Sequence, residues 1–109
     1  MKGTTLAEQA RFAESFLQRL LGLMGKKNME KGNALIFKKA PSIHTFFMKF
    51  AIDIVFVDAS MRILKTYQAL GPFRFAGCLR SVLTVELPAN TLSQTRTAIG
   101  DTLELKPTI

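Results

Sequence analysis

Three side chains of this sequence could serve as ligands for a soft metal ion such as Cu(I): His44, Met48 and Cys78. On a regular strand, positions 44 and 48 share a face but lie roughly 13 Å apart, so one ion could not reach both without a bend. The sequence also lacks the paired cysteine and histidine spacing of a zinc site. We therefore expect no metal and no cofactor, with Met48 filling the core and His44 making one hydrogen bond from a half-buried strand.

The same cysteine and histidine could instead form a nucleophile and its general base. No signature of a known cysteine enzyme surrounds Cys78, and a lone cysteine in an apolar chain is usually an inert, small side chain. We favour the inert interpretation over catalysis by Cys78 and His44.

Two carboxylates lie inside apolar runs: Asp53 stands between two isoleucines, and Glu86 between a valine and a leucine. An unpaired buried carboxylate would be strongly destabilising, so Asp53 needs a partner. Arg19, on a predicted helix, is the first candidate, and backbone amides are the second. We favour a structural Arg19–Asp53 pair that fixes the helix to a sheet. The functional alternative is a pocket for a cationic or hydroxylated ligand, with Glu86 as its second wall and an acid/base pair if the carboxylates meet.

The chain carries a net charge of +7, and part of this charge is concentrated in one lysine cluster. Such a cluster attracts polyanions, including nucleic acid and anionic membrane surfaces. No aromatic residues alternate with the lysines, as a single-strand binder would require, so we favour a solvated loop and do not expect nucleic acid as the partner. The cluster consists of Lys26, Lys27, Lys31, Lys38 and Lys39, opposed only by Glu30.

The 109 residues predict one domain over 1–109, with 48 % apolar residues and hence a real core. No run approaches the roughly 18 apolar residues of a membrane span. The N-terminus lacks a basic patch followed by an apolar stretch, and the single cysteine permits a reducing compartment. We expect a cytoplasmic protein, with removal of an export signal as the alternative.

Apolar residues recur with helical spacing from 13 to 24, and Gly25 is a natural stop. Two starts compete, because capping boxes can be formed at Thr5 and at Ser15. The periodicity favours the longer helix, which begins at Thr5.

The rest of the chain favours strands, because it is rich in β-branched and aromatic residues. The central stretch 43–58 predicts two strands, or one strand bent near Ala51. Residues 52–57 and 61–67 predict a β-hairpin, with Met61, Ile63, Lys65 and Tyr67 on one face. Further strands are expected at 34–37, 82–87 and 102–106, with a helical turn over 91–97.

Residues 68–80 predict a long loop that carries both aromatic and cationic side chains. Such residues on a loop are better functional candidates than the same residues in a core. They are Phe73, Arg74, Phe75, Cys78 and Arg80.

Several blocks resemble the domain of unknown function 192 family. Arg19–Lys26 is similar to its R-x-x-G-L-M-x-R opening. Ile43–Met48 and Ile52–Asp58 resemble its I-H-T-x-x-M and I-D-V-x-F-x-D motifs. Val85–Asn90 and the Gly-Asp pair at 100–101 resemble its L-E-L-x-A-G and G-D ends.

The resemblance implies a mainly β fold: a small β-sandwich or barrel with one α-helix near the N-terminus. It also implies that this helix is the shorter one, starting near Ser15 after an N-terminal strand, and we follow it. It implies no activity and no compartment. Lys26 stands where the family often has arginine, and Asn90 where it usually has glycine. Asparagine tolerates a left-handed backbone, so a turn at Asn90 is still expected.

Our first functional hypothesis is a non-catalytic binding module for a small molecule or a peptide of a partner protein. Its pocket would be formed by His44, Phe46, Met48 and Asp53 and covered by the loop 71–80. The alternatives are an enzyme, which we favour less, using Asp53 with Glu86 or Cys78 with His44, and a polyanion binder using the lysine cluster.

Overall fold

The computed structural model describes residues 5–7, 9–12, 32–38, 42–44 and 50–104. Within these residues the chain forms seven strands and one short helix. The elements are β1 (Gln9–Phe12), β2 (Asn33–Lys38), β3 (Ser42–His44), β4 (Ile52–Val57), β5 (Ile63–Leu70), β6 (Phe75–Gly77), β7 (Leu83–Pro88) and α1 (Thr91–Thr95).

Five of the strands form one sheet in the order β1-β2-β7-β4-β5. β1 runs parallel to β2, and the other neighbours are antiparallel. The remaining strands, β3 and β6, form a two-stranded antiparallel sheet, which we call the ribbon. β4 is paired on both edges and all six of its residues are buried, so it is the core of the sheet.

Alternation of side chains along the strands creates two apolar clusters, one on each face of the large sheet. The first consists of Leu35, Phe37, Ile52, Ile54, Phe56 and Ala76. Because Ala76 belongs to the ribbon, we call this the ribbon face. The second consists of Ala34, Ile36, Val55, Val57, Ile63, Val85, Leu87 and Leu92. Because Leu92 belongs to α1, we call this the helix face.

The predicted hairpin is confirmed, but the predicted single face for residues 61–67 is wrong. Ile63 belongs to the helix-face cluster, whereas Tyr67 packs against the ribbon-face cluster. The cause is an irregularity between the register pairs Phe56–Lys65 and Val57–Ile63, which places one extra residue in β5. A bulge of this kind shifts the alternation by one position.

The mainly β prediction is confirmed, and so is the N-terminal strand, which the structure places at Gln9–Phe12. The longer helix from Thr5 is wrong, because residues 9–12 are a strand that pairs with β2. The helix within the described residues lies at 91–95, where a helical turn was predicted. The predicted helix from Ser15 lies outside the described residues. Asn90 adopts the expected left-handed conformation, with φ 76°.

Two other predicted segments differ in extent. The loop 68–80 is shorter than expected, since β5 continues to Leu70 and β6 occupies Phe75–Gly77. A last strand was predicted at 102–106. In its described part, one isolated β-bridge joins Thr102 to Arg62. Within the described residues, no helix has the length and apolar character needed to cross a membrane.

Candidate functional site

Asp53 is fully buried in the centre of the fold, and its carboxylate accepts hydrogen bonds from three backbone amides. Oδ1 accepts from the N–H of Ala69 at 2.7 Å and from that of Asn90 at 3.2 Å. Oδ2 accepts from the N–H of Leu92 at 2.8 Å. The carboxylate thus ties β4 to β5 and to the first turn of α1.

The chain is shaped locally to bring these amides to Asp53. The register pairs Ile52–Leu70 and Ile54–Tyr67 leave an extra residue of β5 opposite Asp53. Ala69, in this bulge, has a left-handed backbone with φ 50°. A left-handed backbone destabilises an L-residue by about 1–2 kcal/mol. A hydrogen bond to a charged acceptor, such as the one from Ala69 to Asp53, contributes about 1.5–3 kcal/mol and offsets this cost.

Two kinds of partner were expected for Asp53. The structure shows the second kind, backbone amides, while the first candidate, Arg19, lies outside the described residues. Because both carboxylate oxygens of Asp53 are engaged by the protein's own backbone, the geometry favours the structural interpretation of this residue.

Asp53 and Glu86 are both fully buried but lie on opposite faces of the sheet. Glu86 pairs with Ile54, and Asp53 pairs with Leu87. Paired residues share a face, so Glu86 lies on the ribbon face and Asp53 on the helix face. The expectation that these carboxylates form two walls of one pocket is wrong, since their positions in the ladder differ by one residue.

Lys65 and Tyr67 of β5 hold the end of the ribbon against the large sheet. The Tyr67 hydroxyl donates to the carbonyl of Gly77 at 3.4 Å and accepts from its N–H at 3.3 Å. Lys65 Nζ donates to the same carbonyl at 3.2 Å and lies 4.9 Å from the centre of the Tyr67 ring. The ring itself packs edge-on against Phe56, with centroids 6.0 Å apart.

The electrostatics of this pair follow from its geometry. Hydrogen bonding to Lys65, and then to the Gly77 backbone, lowers the pKa of Tyr67 below its ordinary value. Hydrogen bonding to Tyr67 raises the pKa of Lys65. The pair stabilises the contact between β5 and β6, and neither residue was singled out by the sequence as a site residue.

The strand register of the ribbon determines which residue pairs with His44. Ile43 pairs with Ala76, which is buried in the ribbon-face cluster, and His44 pairs with Phe75, which is 69 % exposed. The backbone pairing thus sets position 44 opposite Phe75 in the ladder.

Cys78 lies three residues beyond Phe75, the pairing partner of His44, and packs partly buried against the ribbon-face cluster. The register thus does not pair the proposed nucleophile with its proposed base. Among the described residues, no group of three or more histidine, cysteine or acidic side chains could hold a metal ion.

The outward side of the ribbon and the turn that follows it carry the largest exposed apolar residues of this region. Phe73 and Phe75 are each 69 % exposed, and Leu79 is 95 % exposed. Arg74 and Arg80, also exposed, stand next to them. We call these five residues the ribbon surface. A single exposed leucine is ordinary, but several large apolar residues on one short segment indicate a binding surface.

The turn that presents Leu79 is firmly anchored at its base. The N–H of Ser81 donates to the carbonyl of Cys78 at 3.2 Å, which places Leu79 and Arg80 at the tip. The Ser81 hydroxyl donates to Leu83 O at 2.7 Å, and the N–H of Val82 donates to the carbonyl at the end of β4 at 2.8 Å. Leu79 is thus held outward by the structure of the turn.

The stretch of sequence that contains the ribbon surface carries charge of one sign. Between Asp58 and Glu86 the sequence contains no acidic residue, and its cations there are Arg62, Lys65, Arg74 and Arg80. This stretch contains β5, the ribbon strand β6 and the turn. An apolar surface in such a setting favours a partner with negative charge.

Several predicted site residues lie where the structure gives no description. Phe46 and Met48 of the predicted pocket, and the lysines at 26, 27, 31 and 39, lie outside the described residues. Lys38 is described and is exposed at the end of β2.

The sequence reasoning missed Leu79, although it selected the loop that contains it. The signal was present: Leu79 interrupts a polar turn and stands directly before an arginine. An apolar residue inside a short turn is a candidate for an exposed contact residue.

The fold and the surface together define a mainly β protein whose best-formed candidate site is an exposed, basic and apolar segment. The chain belongs to the family described as "Uncharacterized ACR", domain of unknown function 192, whose sequence profile matches residues 1–105. The resemblance inferred from the sequence motifs is confirmed.

Two archaeal relatives carry the family name UPF0127 protein. One, from Pyrococcus furiosus, is 32 % identical over 110 residues, covering 94 % of this chain and 91 % of the relative. Another, from Pyrococcus horikoshii, is 32 % identical over 103 residues, covering 88 % and 86 %.

Two crystal structures share the fold. A protein of unknown function from Novosphingobium aromaticivorans superposes with a TM-score of 0.76 at 16 % identity, covering 88 % of this chain and 74 % of that one. A Sinorhizobium meliloti protein, provisionally described as a transcription regulator, gives 0.76 at 20 % identity, covering 87 % and 79 %. At these identities the likeness concerns the fold alone.

Proposed function

We propose that this protein is a non-catalytic binding module whose binding site is the ribbon surface. The observation that carries the proposal is the 95 % exposure of Leu79 at the tip of an anchored turn, beside Phe73 and Phe75. Rigid presentation of apolar side chains lowers the entropy that must be lost on binding.

The proposal moves the binding site from the pocket expected around Asp53 to the outer side of the ribbon. Both carboxylate oxygens of Asp53 already accept backbone hydrogen bonds on the helix face, which supports a structural role for this residue. The loop 71–80, expected as a cover for the pocket, is itself the site in this account.

The geometry does not favour the enzyme alternatives. A general acid and base must lie within hydrogen-bond reach of one substrate, and Asp53 and Glu86 have the sheet between them. His44 pairs with Phe75 and not with the residues next to Cys78.

Site-specific photo-cross-linking in the native host tests the proposal. A photoreactive phenylalanine analogue replaces Phe75 or Leu79, and in a matched control it replaces Ile99, an exposed apolar residue outside the ribbon surface. We expect a discrete adduct from positions 75 and 79 and none from position 99. Adducts of equal yield at all three positions, or no adduct at 75 and 79, would overturn the proposal.

A further inference from the structure

We infer that the partner of the ribbon surface is an anionic lipid surface, with the apolar side chains inserted at the headgroup boundary. This inference rests on the proposed function and specifies its ligand. Insertion would involve Phe75 and Leu79, while Arg74 and Arg80 would contact headgroup phosphates.

The composition of the ribbon surface supports a lipid more than a protein. Hot spots of protein–protein interfaces are enriched in tryptophan, tyrosine and arginine, and leucine is under-represented there. Amphipathic helices that lie in a membrane interface combine phenylalanine and leucine with arginine and lysine, and a strand and turn can present the same residue types. The ribbon surface consists of two phenylalanines, one leucine and two arginines.

The shape of the surface leads to the same conclusion. Leu79 is the outermost part of a tight turn closed by the Ser81–Cys78 hydrogen bond, so the surface projects at this point. A projecting apolar tip needs a deformable medium or a pre-formed pocket to receive it, and a lipid bilayer supplies the first. Phe75 extends the apolar area along the outward side of β6.

The charge distribution supplies the long-range attraction. Four cations and no acidic residue lie between Asp58 and Glu86, and the whole chain carries +7. Cationic side chains next to an anionic bilayer surface each strengthen binding, and the attraction decays within a Debye length. The apolar tip and its arginines are adjacent in sequence, so insertion brings the charges to the headgroups.

Vesicle co-sedimentation of the whole chain tests the inference, using vesicles of phosphatidylcholine alone and of equal parts phosphatidylcholine and phosphatidylserine. We expect binding to the anionic vesicles that weakens as salt is raised. The Leu79→Asn variant should bind about tenfold more weakly, and Arg80→Gln about fivefold more weakly.

Matched controls come from the segment that follows α1, the helix whose Leu92 packs on the helix face. Ile99 and Arg96 are exposed there, so Ile99→Asn and Arg96→Gln remove the same kinds of side chain away from the ribbon surface. We expect both variants to bind vesicles as the parent chain does.

The outcomes distinguish this inference from the proposed function. No sedimentation with anionic vesicles at low salt overturns the lipid assignment. An unchanged Leu79→Asn variant beside a weakened Arg80→Gln variant overturns insertion, because the binding is then purely electrostatic. A protein adduct from photo-cross-linking at position 79, without vesicle binding, overturns the lipid assignment and leaves the binding module standing. Absence of both adduct and vesicle binding overturns both.

Discussion

The segments that cover the two faces of the large sheet place their apolar side chains in opposite directions. On the helix face, α1 buries Leu92 and gives the N–H of the same residue to Asp53. On the ribbon face, β6 buries only the small side chain of Ala76 and turns Phe75 outward. Leu92 of α1 is apolar because it packs in the core. The large apolar residues of the ribbon surface are exposed, so core packing does not account for them, and this difference indicates a binding partner.

The largest loss of stability should come from removing the Asp53 carboxylate, which joins β4 to β5 and to α1. Asp53→Asn places an amide N–H₂ group among backbone N–H donors, so at least one buried amide loses its acceptor. We expect the free energy of unfolding to fall by about 4 kcal/mol, measured by urea denaturation.

The control for this variant is Asp58→Asn. Asp58 Oδ1 also accepts from two backbone amides, those of Ser60 and Arg62, but in an exposed turn. Its loss should cost about 1 kcal/mol, as for an exposed cap. Equal effects of the two variants would mean that burial does not matter at Asp53.

Truncation of the helix-face anchor should come next in size. Leu92 is 1 % exposed and packs in the helix-face cluster, so Leu92→Ala leaves a cavity. A loss of about 3 kcal/mol is expected from the same denaturation measurement. A loss below about 1 kcal/mol would show that α1 is not part of the core.

A smaller loss of stability is expected from a change in the contact between Tyr67 of β5 and the ribbon. Tyr67→Phe removes the hydroxyl that bonds both the N–H and the carbonyl of Gly77. The stability should fall by about 1 kcal/mol, and hydrogen exchange of the Gly77 amide should accelerate. Unchanged exchange at Gly77 would mean that the hydroxyl does not hold the ribbon in place.

The pairing of Lys65 with Tyr67 is open to a direct titration, because Tyr67 is the only tyrosine and the chain has no tryptophan. In Lys65→Met, the pKa of Tyr67 should rise toward its ordinary value, as followed by ultraviolet absorbance. An unchanged pKa would remove Lys65 as the main cause of the shift.

The sign of the pH dependence follows from the two shifts. The lowered pKa of Tyr67 contributes stability that is present above its ordinary value of 10.0 and is lost as the pH falls through the folded value. The raised pKa of Lys65 contributes stability that is present below its ordinary value of 10.5 and is lost as the pH rises through the folded value. The two contributions therefore overlap only in alkaline solution, near the ordinary pKa values of the two groups.

Local patterns in the sequence predicted the central hairpin, whereas the left-handed turn at Asn90 was expected from the family motif, which usually has glycine at this position. Alternating β-branched and aromatic residues suffice for the hairpin, and asparagine tolerates the left-handed backbone that the turn requires. The N-terminal strand needed the family motifs, because the residue pattern alone favoured a helix from Thr5 that would have included these positions.

The partners of Asp53 could not be read from the sequence. They are backbone amides at positions 69, 90 and 92, and a backbone amide has no residue-type signature. Their approach depends on a bulge in β5 that no glycine or proline marks, since Ala69 occupies it. Strand β6 and its pairing with β3 escaped prediction for a related reason: both strands have three residues, and they pair across a long stretch of chain.

The free energy of unfolding of Leu79→Asn tests most directly whether the ribbon surface exists for binding and not for folding. Since Leu79 is 95 % exposed, we expect a change within about 0.5 kcal/mol of the parent chain, beside the large loss in Leu92→Ala. A loss of about 3 kcal/mol, equal to that of Leu92→Ala, would place Leu79 in the core and contradict its role as an exposed binding residue.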